Sequence, residues 1–287
     1  MRKNSLFKRG VSWFLSVCLI AGMVTVPVGA AGNTLYVSPT GDDTKDGLTE
    51  EAALLNIKTA YDKAEDGDTI VLLDNFDQPI AIGEFNDQKS VTIDGGNNTI
   101  KYTGASSIDT TSNGLFKVNS GSITIENLTI DMDMHQKSLS GRALYAGQDA
   151  RVTLNNVTIE NGNYVDGTQG GGAIYVHTGA EVTVTDSTLS NNSSALSGGA
   201  IFVADGGELT VNGSTQISRN DAKDGAGIYV ASNGVSHMEG NADISNNKAK
   251  NAGGGVFLAQ GSSNTVADDV IVSGNTAASE NNNVYLQ

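Results

Sequence analysis

Apolar and polar positions along this chain repeat with a long period rather than a helical one. One short phrase returns again and again: Gly114-Leu115-Phe116-Lys117, Ala143-Leu144-Tyr145-Ala146, Ala173-Ile174-Tyr175-Val176 and Ala200-Ile201-Phe202-Val203. It continues as Gly227-Ile228-Tyr229-Val230, Gly255-Val256-Phe257-Leu258 and Asn283-Val284-Tyr285-Leu286. Its aromatic positions are 29, 30, 27, 27, 28 and 28 residues apart. Apolar pairs follow seven and nine positions after the aromatic, as at Ile123/Ile125, Val152/Leu154, Val182/Val184 and Leu209/Val211. A third apolar column falls fourteen or fifteen positions on, at Ile130, Ile159, Leu189, Ile217, Ile244 and Val272. Alternation within each segment is the period of a strand. Each unit of about 28 residues therefore holds three short strands joined by turns, too little to fold alone, so the units must stack. The predicted fold is all-β: a right-handed, single-stranded parallel β-helix over residues 74–287. Its hand follows from the rule for parallel crossover connections.

Residues 31–73 read as an N-terminal cap. Leu35-Tyr36-Val37 is a strand, Pro39 to Gly47 a turn-rich loop, and Thr49 caps a helix that runs to about Ala64. Ala53, Leu54, Ile57, Ala60, Tyr61 and Ala64 make its apolar face. Asp66-Gly67-Asp68 stops it, and a buried strand starts at Thr69. A helix there covers the open end of the stack. Residues 75–113 read as less regular early coils. The pattern weakens later, where Ser236 and Asn264 take apolar places. The chain stops one strand into a new coil, which reads as a truncated or minimal member.

Residues 1–30 have the pattern of a signal peptide. Arg2, Lys3, Lys8 and Arg9 precede the apolar stretch Val11 to Val28, and Val28-Gly29-Ala30 offers small residues for cleavage. Cys18, the single cysteine, lacks the small preceding residue of a lipid-attachment site. A mature chain without cysteine has no disulfide, thiolate metal site or cysteine nucleophile. The formal net charge is −15; without the leader, 17 − 4 = 13 basic residues face 32 acidic ones, a net charge of −19. That argues against nucleic acid and anionic lipid as partners. It fits a secreted or cell-surface protein with no membrane span after signal cleavage.

Asn192, Asn220, Asn247 and Asn275 each follow the third apolar column by three residues, with Asp133 and Gly162 in that place earlier. Stacked amides suit a structural ladder, the alternative being a ligand-binding one. The aromatic strand has two parities. One face carries the aliphatic residues and, against the pattern, Lys117; the other carries Tyr145, Tyr175, Phe202, Tyr229 and Phe257. With the aliphatics inside, these rings sit between small neighbours, open either to a sugar or to one another. The opposite parity, with the rings inside, is the alternative that Lys117 supports. Catalysis has weak candidates. Lys117 and Arg142 are the bases a polysaccharide lyase would use, with Asp131 and Asp133 nearest to hold its Ca²⁺. Asp268-Asp269 is a neighbouring acid pair, and His135, His177 and His237 fall in different columns. Asp42, Asp43 and Asp46 are either Ca²⁺ ligands or turn formers.

The run Tyr36-Val-Ser-Pro-Thr-Gly-Asp-Asp-Thr-Lys-Asp46-Gly47, a helix, then Asp66-Gly-Asp-Thr-Ile-Val71 resembles the opening segment of secreted right-handed parallel β-helix proteins of the pectate-lyase-like superfamily. The later pairing of Gly-Gly-Ala-Ile with Ile-x-x-Asn phrases is similar to polymorphic outer-membrane adhesin repeats. These resemblances imply an exported binding or adhesin-like module that contacts polysaccharide or a host surface without catalysis. The alternatives are a polysaccharide lyase or glycoside hydrolase acting on acidic glycans, and a purely structural stalk.

Overall fold

Alternating Val, Ile and Leu with Thr, Ser and Glu makes strands with one apolar side, and each strand pairs in parallel with its counterpart one coil on. The computed structural model describes residues 32–108, 114–134, 138–165, 168–278 and 282–287. The expected signal peptide lies outside the described residues. The result is a parallel β-solenoid of about 7 turns with about 28 residues per turn. Ile159 pairs with Leu189, Leu189 with Ile217, Ile217 with Ile244 and Ile244 with Val272. Ile174, Ile201, Ile228 and Val256 stack the same way in the aromatic strand. Nearly all of these aliphatics are buried in one continuous core; Val272 packs against it partly buried. Each buried Ile, Leu or Val stabilises the stack by about 1.5–3 kcal/mol before entropy is counted.

The cap differs from the expected single helix. Strand β1 (Thr34–Val37) pairs with β2 (Thr69–Leu72), and β2 with Ser90–Tyr102. Between them lie a 3₁₀ turn, Glu50–Ala52, and a helix α1, Ile57–Lys63. Thr49 caps the 3₁₀ turn through the Ala52 N–H. The helix breaks because Ala53 and Leu54 lend their carbonyls to Asp42 and Ser38, and Leu54 bridges Val37.

Each later coil also holds a fourth short strand beyond the three expected. Asn163–Tyr164, Ser193–Ser194, Asp221–Asp224 and Lys248–Ala252 form a separate four-stranded sheet. Between the third and fourth strands, Asn161, Asn191, Arg219, Asn246 and Gly274 all have positive φ, 55–64°. Asn and Gly tolerate that conformation; Arg does not do so readily.

The register corrects one alignment. Phe116 pairs with Leu144, and Lys117 with Tyr145. Phe116 is therefore a core residue, fully buried and stacked on Phe85 at 5.9 Å. Val118, also buried, takes the aliphatic place that Lys117 had seemed to interrupt. The aliphatic side of the strand is thus inward and buried as far as Leu258, and exposed at Val284 and Leu286 in the last coil.

Candidate ligand-binding face

Because the aliphatics point inward, the aromatics point out of the main core. Tyr145, Tyr175, Phe202, Tyr229, Phe257 and Tyr285 form one stack, with successive ring centroids 5.2, 5.5, 5.1, 4.8 and 4.8 Å apart. Neighbouring planes are within 26° of parallel. The small neighbours do not leave the ring faces open, as one expectation had it: each interior ring is covered on both faces by the next. Phe202, Tyr229 and Tyr285 are half-buried and the other three rings are buried. Each stacked pair adds about 0.5–1.5 kcal/mol beyond burial.

The Asn column is a buried hydrogen-bond ladder. Asn192 Nδ2 and N–H donate to Asn220 Oδ1 at 3.2 and 2.9 Å, and Asn220 donates likewise to Asn247 at 2.9 and 3.0 Å. Asn247 continues to Asn275 at 3.0 and 2.9 Å. Each amide also donates inward to a strand carbonyl, for example Asn220 to Leu189 at 3.1 Å. Asn283 closes the ladder by accepting from Asn275. Asp133 does not belong to this column; its φ of 48° makes it a corner residue like Asn161, and its carboxylate lies 3.8 Å from Lys101.

A face that the periodicity did not single out is the outer side of the third strand column. Asp131 and Glu160 stand in register there, followed in later coils by Gln216/Ser218 and Asp243/Ser245. Two clefts open on it. One, of about 430 Å³, is lined by Gln216, Ser218, Arg219, Asp243, Ser245 and Asn246. The other, of about 290 Å³, includes Asn161, Asn191, Asp221 and again Arg219. Arg219 is exposed and lines both. Asp243 Oδ1 is buried in the first cleft with no protein partner. Burial and the Asp131 charge push the Glu160 carboxyl up. The signal that could have found this face was the positive-φ corner: Arg219 stands where its neighbours are Asn or Gly.

A profile of the family described as a right handed beta helix region matches residues 91–286. The chain belongs to the right handed β-helix family. No curated protein matches it. Among solved structures it is similar to two crystal structures of a GH136 lacto-N-biosidase from Eubacterium ramulus, the native protein and its selenomethionine derivative. Both are 10% identical and cover 89% of this chain and 68% of that one, with TM-scores of 0.39 and 0.35.

On this β-helix the expected lyase bases do not share a groove. Lys117 is mostly buried and paired with Glu84 at 2.7 Å. That contact holds the Glu84 carboxyl below its usual range. Arg142 is fully buried. Asp131 accepts from Asn161 at 2.8 Å and lies 3.6 Å from Lys101, so a side-chain cation already faces it. Asp42, Asp43 and Asp46 are engaged by local donors. Asp42 accepts from Thr44, Asp46 from the Leu48 N–H, and Asp43 from Leu55, Asn56 and Thr59. Among the described residues no group of three or more His, Cys, Asp or Glu is placed to hold a metal ion. His177 sits 6.0 and 6.1 Å from the Tyr145 and Tyr175 rings, and His237 bonds Thr265 at 2.7 Å. His135 lies outside the described residues, and Asp268 and Asp269 are exposed.

Proposed function

We propose that this β-helix protein is an exported or cell-surface module that binds an extended polysaccharide without cleaving it, along the third-column face. The observation that carries this reading is Arg219. It holds a conformation costly for its type, exposed between two polar clefts, while other coils use Asn or Gly at the corner. Strained residues of this kind persist where function retains them. Around it are amides, hydroxyls and carboxylates, which together donate to and accept from sugar hydroxyls. An extended glycan advances by about one strand spacing per ring, so groups repeating at that spacing meet successive sugars alike. The acidic character of the face and of the chain favours neutral over anionic sugars. The test is retention on an array of neutral and acidic glycans. Wild type should be retained by a neutral glycan, and the triple variant Gln216→Ala, Arg219→Ala, Asn246→Ala should lose at least about tenfold in affinity. Unchanged retention by the triple variant would refute the assignment of the face.

A second reading is glycoside hydrolysis, favoured by Glu160 beside Asp131. Burial and the neighbouring Asp131 push the Glu160 carboxyl up, the direction an acid in such chemistry needs. It predicts release of reducing ends from the retained glycan, abolished by Glu160→Gln.

A further inference from the structure

Arg142 is a buried cation in a position that the next two coils give to glycine. Counting back from Leu144, Ile174 and Ile201, which pair in register, the same position is Gly172 and then Gly199. Tyr164 pairs with Ser194, so it too is a large residue where the next coil has a small one. The two fill a corner together. The guanidinium carbon lies 3.6 Å from the Tyr164 ring centroid and 5.0 Å from that of Tyr175. The contact with Tyr164 is to the ring face. Stacking of this kind attracts the cation but leaves the in-plane N–H edges untouched. Among the described residues no acceptor makes a well-formed hydrogen bond with Nε, Nη1 or Nη2, and all three are buried. Burial lowers the guanidinium pKa to about 10, a shift that Tyr164 and Tyr175 partly counter, so at neutral pH it is charged. Burial also pushes the Tyr145 and Tyr175 hydroxyls up, which keeps them neutral donors.

A charged, planar, five-donor fork with no counter-charge among the described residues is incomplete in those terms. We propose that Arg142 is the cation of a carboxylate-binding site roofed by Tyr145, Tyr164 and Tyr175. A carboxylate matches the guanidinium edge with two parallel hydrogen bonds while Tyr164 keeps the face. The three rings are 8%, 6% and 6% exposed, so the site lies one side chain beneath the surface, and rotation of a ring admits the ligand. The site is separate from the third-column face, and either assignment can fail while the other stands.

Two sources supply such a carboxylate: a small free acid, or the acid group of a uronic sugar. The experiment follows the arginine Nε–H resonances of the ¹⁵N-labelled protein, and its thermal midpoint, on adding acetate, glucuronate, glucose or chloride in turn. The Arg142 resonance is assigned by its loss in Arg142→Lys. Should that variant fail to fold, Lys replacement of the four other arginines assigns it by elimination. A saturable shift of Arg142 alone is expected, with a midpoint raised by at least about 2 °C. Response to acetate and glucuronate identifies a general carboxylate site, and response to glucuronate alone a sugar-acid site. No shift, a shift that never saturates, or an equal response to chloride would overturn the proposal.

Discussion

Asn220 shows how one side chain serves three coils. Its oxygen receives two donors from Asn192, its amide reaches the Leu189 carbonyl, and its own N–H is received by Asn247. Asn220→Ala strands the Asn192 N–H and the Leu189 carbonyl in a buried corner, each costing about 1–3 kcal/mol. A loss of at least about 2 kcal/mol is expected in denaturant unfolding, against a smaller loss of about 0.5–1 kcal/mol for Asn246→Ser, which gives up only the tolerance of Asn for the positive-φ corner. Arg219 works the other way. Arg219→Asn should raise stability by about 0.5–1 kcal/mol by easing the positive-φ corner, while weakening glycan retention. The Asn column was legible in the sequence because its spacing from the apolar column is constant. Arg219 was not, since it stands out only once the corner column Asn161, Asn191, Asn246 and Gly274 is aligned and its positive φ is known. Lys117 misled for a related reason: a one-residue offset in the first full coil put Phe116 in the wrong column.

At the scale of elements, the helical spacing of Ala53, Leu54 and Ile57 predicts one helix across the cap. Hydrogen bonds from Ser38 and Asp42 to the Leu54 and Ala53 carbonyls decide otherwise, and those partners are distant in sequence. Asp43 fixes the start of α1. Burial alone would raise its pKa, but bonds from Asn56, Leu55 and Thr59 outweigh it and the net shift is downward. Its stabilising contribution is therefore full above the unfolded value near 3.8 and vanishes as pH falls through the lower folded value. Thermal unfolding of wild type and Asp43→Asn should differ at pH 6, wild type being the more stable. The gap should close between pH 4 and the acid limit; a gap constant with pH would contradict this role. The fourth strand column escaped the sequence reading because its residues, such as Ser193-Ser194 and Asp221-Ala222, carry too little apolar contrast to read as strands.

Across the whole molecule, stability should be graded, since each coil contacts mainly its neighbours. Ile201–Val203 and Ile228–Val230 have buried aliphatics and a strand on each side. In Ser263–Val266 and Ile271–Ser273 every residue is exposed or only half-buried. Hydrogen exchange should be slowest in the former and faster by at least about tenfold in the latter, read as amide protection factors. The fold itself was legible because a β-solenoid repeats its core pattern in every coil. The proposed binding face was not, because outward side chains are free to vary and only their placement brings them together. The most direct test of the function is a single incubation of the protein with the neutral glycan that retains it, followed for both retention and new reducing ends. Saturable retention without new ends, weakened in the Gln216, Arg219 and Asn246 triple variant, is the predicted result; steady production of reducing ends that Glu160→Gln abolishes would contradict it.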